Sequence, residues 1–136
     1  MSRADYRWWT RLDTRWDDCD AYGHVNNAVY YAWFDTAVTR MLYERGVLGR
    51  GGAIGLVVSS GCDFHLPVGF PGSVDAGVRI ARIGGSSVRY EIGLFAGDAA
   101  AATGYFVHVY VDRETRAPMP LSAETRSALA DLLVAD

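Results

Sequence analysis

Between residues 27 and 46 the apolar side chains of Tyr30, Trp33, Phe34, Ala37, Val38, Met41 and Leu42 recur at intervals of three and four. That spacing lays them along one stripe of a helix. Asn26 or Asn27 can cap its start, and Gly46 can end it. Ahead of it, residues 6–16 (YRWWTRLDTRW) alternate with a period of two, Trp8, Thr10, Leu12, Thr14 and Trp16 on the drier side of a strand. After it come four β-rich runs, 54–64, 74–83, 87–95 and 101–111, with turn-forming PVGFPG, IGGS and AGDA between them. A single strongly apolar helix beside one antiparallel sheet is buried only if the sheet wraps around it or a second copy covers the remainder.

The tail SAETRSALADLLVAD offers Ser122 as a cap, Glu124 in the first turn and apolar Leu129, Leu132 and Leu133, so a short closing helix is expected. Strand, long helix, four strands and short helix is the order of an α+β hotdog fold, an antiparallel sheet wrapped around one long central helix. With 136 residues, half of them hydrophobic, and no linker or repeat, residues 1–136 are expected to form one domain. The glycines of GVLGRGGAIG (46–55) follow a helix instead of joining a strand to one, so they read as a connection and not as a phosphate loop.

Charge and cysteines narrow the partners. A net charge of −3 disfavours nucleic acid, whose binding rests on neutralising phosphates. Cys19 and Cys62 form no CxxC pair and no dense disulfide framework, which points to a reducing, cytoplasmic setting. No run approaches the roughly 20 apolar residues of a membrane helix, and no signal-peptide core is evident.

The densest polar cluster is DCDAYGHVNN, residues 18–27. Asp18, Cys19, Asp20 and His24 are all possible metal ligands, but their spacing matches no zinc pattern, and no metal is expected. Asp20 can make an Asx turn, or can serve as nucleophile or as base toward water. The N–H groups at the start of the following helix can polarise a carbonyl without a metal. His24 can position water or protonate a leaving group, and His65, at the end of a strand, can approach the same place. His108, alternating with Phe106 and Tyr110, reads as a packed or interface residue.

The stretch WDDCDAYGHVNNAVYY (16–31) resembles the hotdog-fold acyl-CoA thioesterases of the 4-hydroxybenzoyl-CoA thioesterase type, and its GHVNN is similar to a motif of plant acyl-ACP thioesterases. The resemblance implies hydrolysis of an acyl- or aryl-CoA thioester across a homodimer or homotetramer interface, with no cofactor. It implies Asp20 as the catalytic carboxylate, the main-chain N–H of Asn27 as carbonyl donor and, by the plant pattern, His24. Tyr22 stands where the plant enzymes have an asparagine, which favours a mechanism centred on Asp20. Tyr22, Gly23, Tyr30 and His65 would then bind substrate, while Arg82, Ser86 and Ser87, with Arg79 and Arg89, would meet CoA near a turn; Trp8, Trp9, Tyr31 and Trp33 can line an acyl pocket or serve as packing. That turn reads Gly84-Gly85 where the benzoyl-type enzymes carry basic residues. An acyl-ACP thioesterase and a non-catalytic acyl-CoA binding module are the alternatives.

Overall fold

The apolar stripe does form a helix. In the computed structural model, which describes residues 1–48 and 52–134, helix α1 spans Asn27–Glu44, and its buried residues are the seven named above. Asn26 is the cap, its Oδ1 accepting from the Ala28 N–H at 2.9 Å. At the other end Gly46 takes a φ of 69°, and its N–H and that of Val47 donate to the Tyr43 and Leu42 carbonyls. Both bonds satisfy carbonyls that the helix leaves open, in the αL arrangement glycine adopts most readily.

The strands are β1 (Trp8–Asp13), β2 (Ala53–Phe64), β3 (Ser73–Ile83), β4 (Ser87–Ala96) and β5 (Ala99–Asp112). They form one sheet in the order β1-β3-β4-β5-β2, every neighbouring pair antiparallel. Helix α1 packs on one face, touching β1, β3, β4 and β5. There Phe34, Val38 and Met41 meet Val78, Ile80, Ile92 and Leu94 in a core sealed from water. A second helix, α2 (Ala123–Leu129), is capped by Ser122, whose Oγ accepts from the Thr125 N–H at 3.1 Å.

Three expectations need correction. β1 ends at Asp13, and Trp16 lies in a 3-10 turn (Trp16–Asp18), 73% exposed and edge-on to Phe70. The face of β1 opposite α1 is not simply wet, because Trp9 packs edge-on to Tyr6 and Phe95 there. In the tail Leu129 and Leu132 are buried, but Leu133 is 43% exposed, since the chain has already left the helix. Residues 49–51, in the middle of the glycine-rich connection, lie outside the described residues.

Candidate active site

The polar cluster is a small loop held from both sides. At its base Asp18 is only 3% exposed. Its Oδ2 accepts from the Arg15 N–H at 2.8 Å, and its Oδ1 from Arg15 Nη2 at 3.0 Å and Nε at 3.2 Å. The Asp18 carbonyl takes the Asn26 N–H at 2.9 Å, which closes the loop just before the helix. Asp18 is therefore an anchor. Within the loop the Asp20 N–H donates to the His24 carbonyl at 2.9 Å and the Gly23 N–H to the Asp20 carbonyl at 3.1 Å. Gly23 turns at a φ of 81°, a conformation side chains disfavour. On the far side the Val25 N–H donates to the Val68 carbonyl at 2.8 Å, and His24 bridges Gly69, tying the loop to the chain that leaves β2.

Asp20 is half-buried, and its Oδ1 accepts from the Tyr22 N–H at 2.8 Å. That is an Asx turn; among the described residues Oδ2 has no hydrogen bond. Tyr22, Gly23, His24 and Asn27 are exposed, Tyr22 at 87%. The Asn27 N–H is one of the helix's orphan donors and has no acceptor among the described residues. Asp20, His24 and the Asn27 amide are thus on one short loop and the helix start it feeds. Cys62 is a poor candidate nucleophile, since burial, reinforced by Asp63, pushes its thiol up to about 11.

Other expected site residues are placed elsewhere. Tyr30 is in the core, ring to ring with Phe64 at 5.1 Å and Trp33 at 5.6 Å, and burial raises its phenol pKa. It faces inward because it belongs to the apolar stripe. His65 does not join the cluster: its Nε2 lies 3.0 Å from Thr103 Oγ1. Period-two alternation turns Phe64 toward α1 and His65 to the other face. Arg82, Ser87 and Arg89 line one groove of about 280 Å³ with Val107. Ser86 lines a separate depression with Pro118, Met119 and Pro120. Glu91 holds Arg79 at 2.8 Å and Arg89 at 3.4 Å, and Arg89 also lies over the Tyr105 ring at 3.9 Å, which leaves Arg82 as the groove's cation with no ion pair among the described residues.

A pocket the sequence did not reveal lies between α1, β2 and β5. It measures about 300 Å³ and is lined by Asp35, Thr39, Leu42, Gly55, His108 and Tyr110 among others. His108, read as a packed or interface residue, is buried; Asp35 and Thr39, one turn apart on the helix, gave no sign of a pocket in the sequence.

Among the described residues no three His, Cys, Asp or Glu side chains group to hold a metal ion, and no helix is long and apolar enough to cross a membrane.

A five-stranded antiparallel sheet in this order, with a helix on one face and a helix start fed by an aspartate loop, fits a hotdog-fold thioester hydrolase. The chain belongs to the Thioesterase-like superfamily, whose model matches residues 14–129. It is similar to the PA5185 protein of Pseudomonas aeruginosa strain PAO1, at 49% identity over 97% of this chain and 95% of that one, with a TM-score of 0.91. It is also similar to a thioesterase of Thermus thermophilus complexed with coenzyme A and Zn, at 32% identity, 91% and 92% coverage and a TM-score of 0.78. The gentisyl-coenzyme A thioesterase BH1999 shares the fold, with a TM-score of 0.81 at 23% identity over 90% of this chain and 99% of that one. No curated protein sequence matches.

Proposed function

We propose that the protein hydrolyses an acyl- or aryl-CoA thioester to the free acid and CoA, residues 1–136 forming one hotdog domain that works in the cytoplasm. The observation that carries this reading is the unclaimed N–H of Asn27, opening α1 directly after a loop that presents the Asp20 carboxylate. A thioester carbonyl at that N–H meets the positive end of the helix, where charge developing on its oxygen is stabilised. Asp20 acts there as nucleophile, giving an anhydride that water opens, or as base toward water. His24 assists the departing thiolate, which needs little help because a thiol is already acidic. The groove of Arg82, Ser87 and Arg89 takes the phosphates of CoA, where guanidinium forks suit oxyanions.

The enzyme works as a homodimer or a larger homo-oligomer built on it. β2 is an edge strand, and it exposes Leu56, Val57 and Val58 along with its unpaired backbone groups. A second copy pairing along β2 covers both.

The test is thiol release from short-, medium- and long-chain and aryl-CoA esters, wild type beside Asp20→Asn. Asparagine keeps an oxygen for the Tyr22 N–H, so the Asx turn survives while the charge is lost. A rate loss of about 10² or more with CoA-ester binding retained is expected. Equal turnover by the variant would remove Asp20 from the chemistry. Folded wild type that binds these esters and turns over none would make the protein an acyl-CoA binding module.

A further inference from the structure

CoA carries a diphosphate and a further phosphate on its ribose, and the one unpaired arginine of the outer groove, Arg82, is too little charge to meet them. A second cation stands at the turn between β3 and β4. Arg126, on α2, is exposed, and its Nη2 donates to the Gly84 carbonyl at 2.8 Å and to the Gly85 carbonyl at 3.3 Å. Those bonds fix the guanidinium, while Nε and Nη1 keep N–H groups with no acceptor among the described residues. Arg126 has no ion pair among the described residues either. The turn offers little cover, since a Cβ on Gly85 would meet nothing within 4 Å. Beside it an open depression of about 270 Å³, lined by Gly85, Ser86, Pro118, Met119 and Pro120, leaves room for a nucleoside next to that charge.

The turn is far from its own chain's Asn27. The α1 start lies by Phe64, which meets Tyr30 and pairs with Ala102, whereas Ser87, beside the turn, pairs with Val109. From Ala102 to Val109 is seven residues of β5, roughly 24 Å. The pantetheine arm of CoA is about as long as four extended residues, roughly 14 Å, and does not span that distance. It does span two protomers. When β2 pairs antiparallel with its copy, the beginning of one strand lies beside the end of the other. The turn of one protomer then lies at the same end of the joined sheet as the α1 start of its partner. Counted from the partner's β2 across β2 and β5 to β4, the separation is three strand spacings, roughly 14 Å.

We propose that Arg126 is a substrate-binding residue: its guanidinium takes a phosphate at the nucleotide end of an ester whose carbonyl is held at the α1 start of the other protomer. This inference rests on the thioesterase reading and on pairing of two copies along β2. A guanidinium already held by two main-chain carbonyls loses little freedom when a phosphate arrives, and its charge-assisted bonds are about twice as strong as neutral ones. The residue therefore selects CoA over thiol carriers that lack phosphate.

The experiment places one acyl group, the one wild type hydrolyses fastest, on three thiols: CoA, dephospho-CoA, which lacks the ribose phosphate, and N-acetylcysteamine, which has no phosphate. Arg126→Ala should raise KM for the CoA ester about tenfold or more with kcat nearly unchanged, and Arg126→Lys, which keeps the charge, should recover part of the loss. The loss should be absent with the N-acetylcysteamine ester. If it also vanishes with the dephospho-CoA ester, Arg126 meets the ribose phosphate; if it stays, Arg126 meets the diphosphate. An unchanged KM for the CoA ester, or an equal loss on the N-acetylcysteamine ester, overturns the assignment and leaves Arg126 as an anchor of the turn. Placement is read from a mixed pair of Asp20→Asn and Arg126→Ala chains, purified through a different tag on each. Such a pair regains one complete site if the two residues come from different protomers, so a component with wild-type KM should return; its absence overturns the shared site. CoA binding by calorimetry reads the same weakening without turnover. Wild type that hydrolyses none of the esters would thus overturn the thioesterase reading while Arg126 is still decided.

Discussion

Truncating Asp18 to alanine tests whether the active loop is held by one buried carboxylate. Oδ2 takes the Arg15 N–H at 2.8 Å, a charge-assisted bond to a part-buried donor, for which a loss of about 1.5–3 kcal/mol is reasonable. The second oxygen takes the Arg15 guanidinium, but that side chain is 74% exposed, so water screens the pair and it adds little. The expected cost of Asp18→Ala is therefore about 1.5–3 kcal/mol. At a urea slope of about 1–3 kcal/mol/M the unfolding midpoint should fall by roughly 0.5–3 M. Asp18→Asn, which can still accept the Arg15 N–H, should cost about half as much. Urea unfolding followed by near-UV dichroism measures both, and thioester hydrolysis far below the midpoint reads the loop. Activity should drop in Asp18→Ala although Asp20 and Asn27 are untouched, because the lost side chain is what holds the Asp18 main chain, and with it the carbonyl that accepts the Asn26 N–H before the helix. A midpoint shift under about 0.3 M, or a full kcat in the folded variant, would refute the anchor.

Two further outcomes are expected. Gly104→Ala would drive a Cβ into the Phe34 ring and the Gly61 carbonyl. Phe34 is fully buried and cannot swing clear, so about 1–3 kcal/mol or more should be lost in urea unfolding, and an unchanged midpoint would contradict this packing. His108 makes stability depend on pH: its folded pKa lies below the unfolded value of about 6.5, so below that pH the unfolded chain binds more protons. Stability should therefore fall as the pH drops through about 6.5 toward the folded pKa, and stay flat in this respect above it. In His108→Phe that acid-side loss should shrink, and urea midpoints with parallel pH profiles in the two proteins would rule it out.

The sequence carried the scaffold better than the site, for reasons that differ by residue. Periodicity depends only on neighbours along the chain, so the stripe from Tyr30 to Leu42, the caps Asn26 and Ser122 and all five strands were legible. The loop was legible as residue types and spacing, and the Asx turn weighed for Asp20 is present, with no hydrogen bond to its second oxygen among the described residues. Tyr30 stood both beside the motif and on the apolar stripe, and the stripe places its ring in the core. His65 stood at a strand end, and the structure sets it one residue past β2 with its ring on Thr103. Trp16 continued the period of β1 in sequence, but the bonds that the Asp18 and Cys19 N–H groups make back to Arg15 and Trp16 end the strand. The pocket beside His108 was out of reach because it joins α1, β2 and β5 across some seventy residues.

The arrangement separates two demands that compete in most sites. Polarising a carbonyl needs a donor that no protein group has claimed, and an unclaimed buried donor costs stability. On the proposed reading the first turn of α1 resolves this, since geometry leaves its N–H groups without helix partners and Asn27 is exposed to water. Only the aspartate must then be placed, and the loop from Asp18 to Asn26 places it with main-chain bonds and one buried carboxylate. His108 is the opposite case, a buried polar ring whose nitrogens have no partner among the described residues, and the packing of Tyr90, Phe106 and Tyr110 around it has to offset that cost.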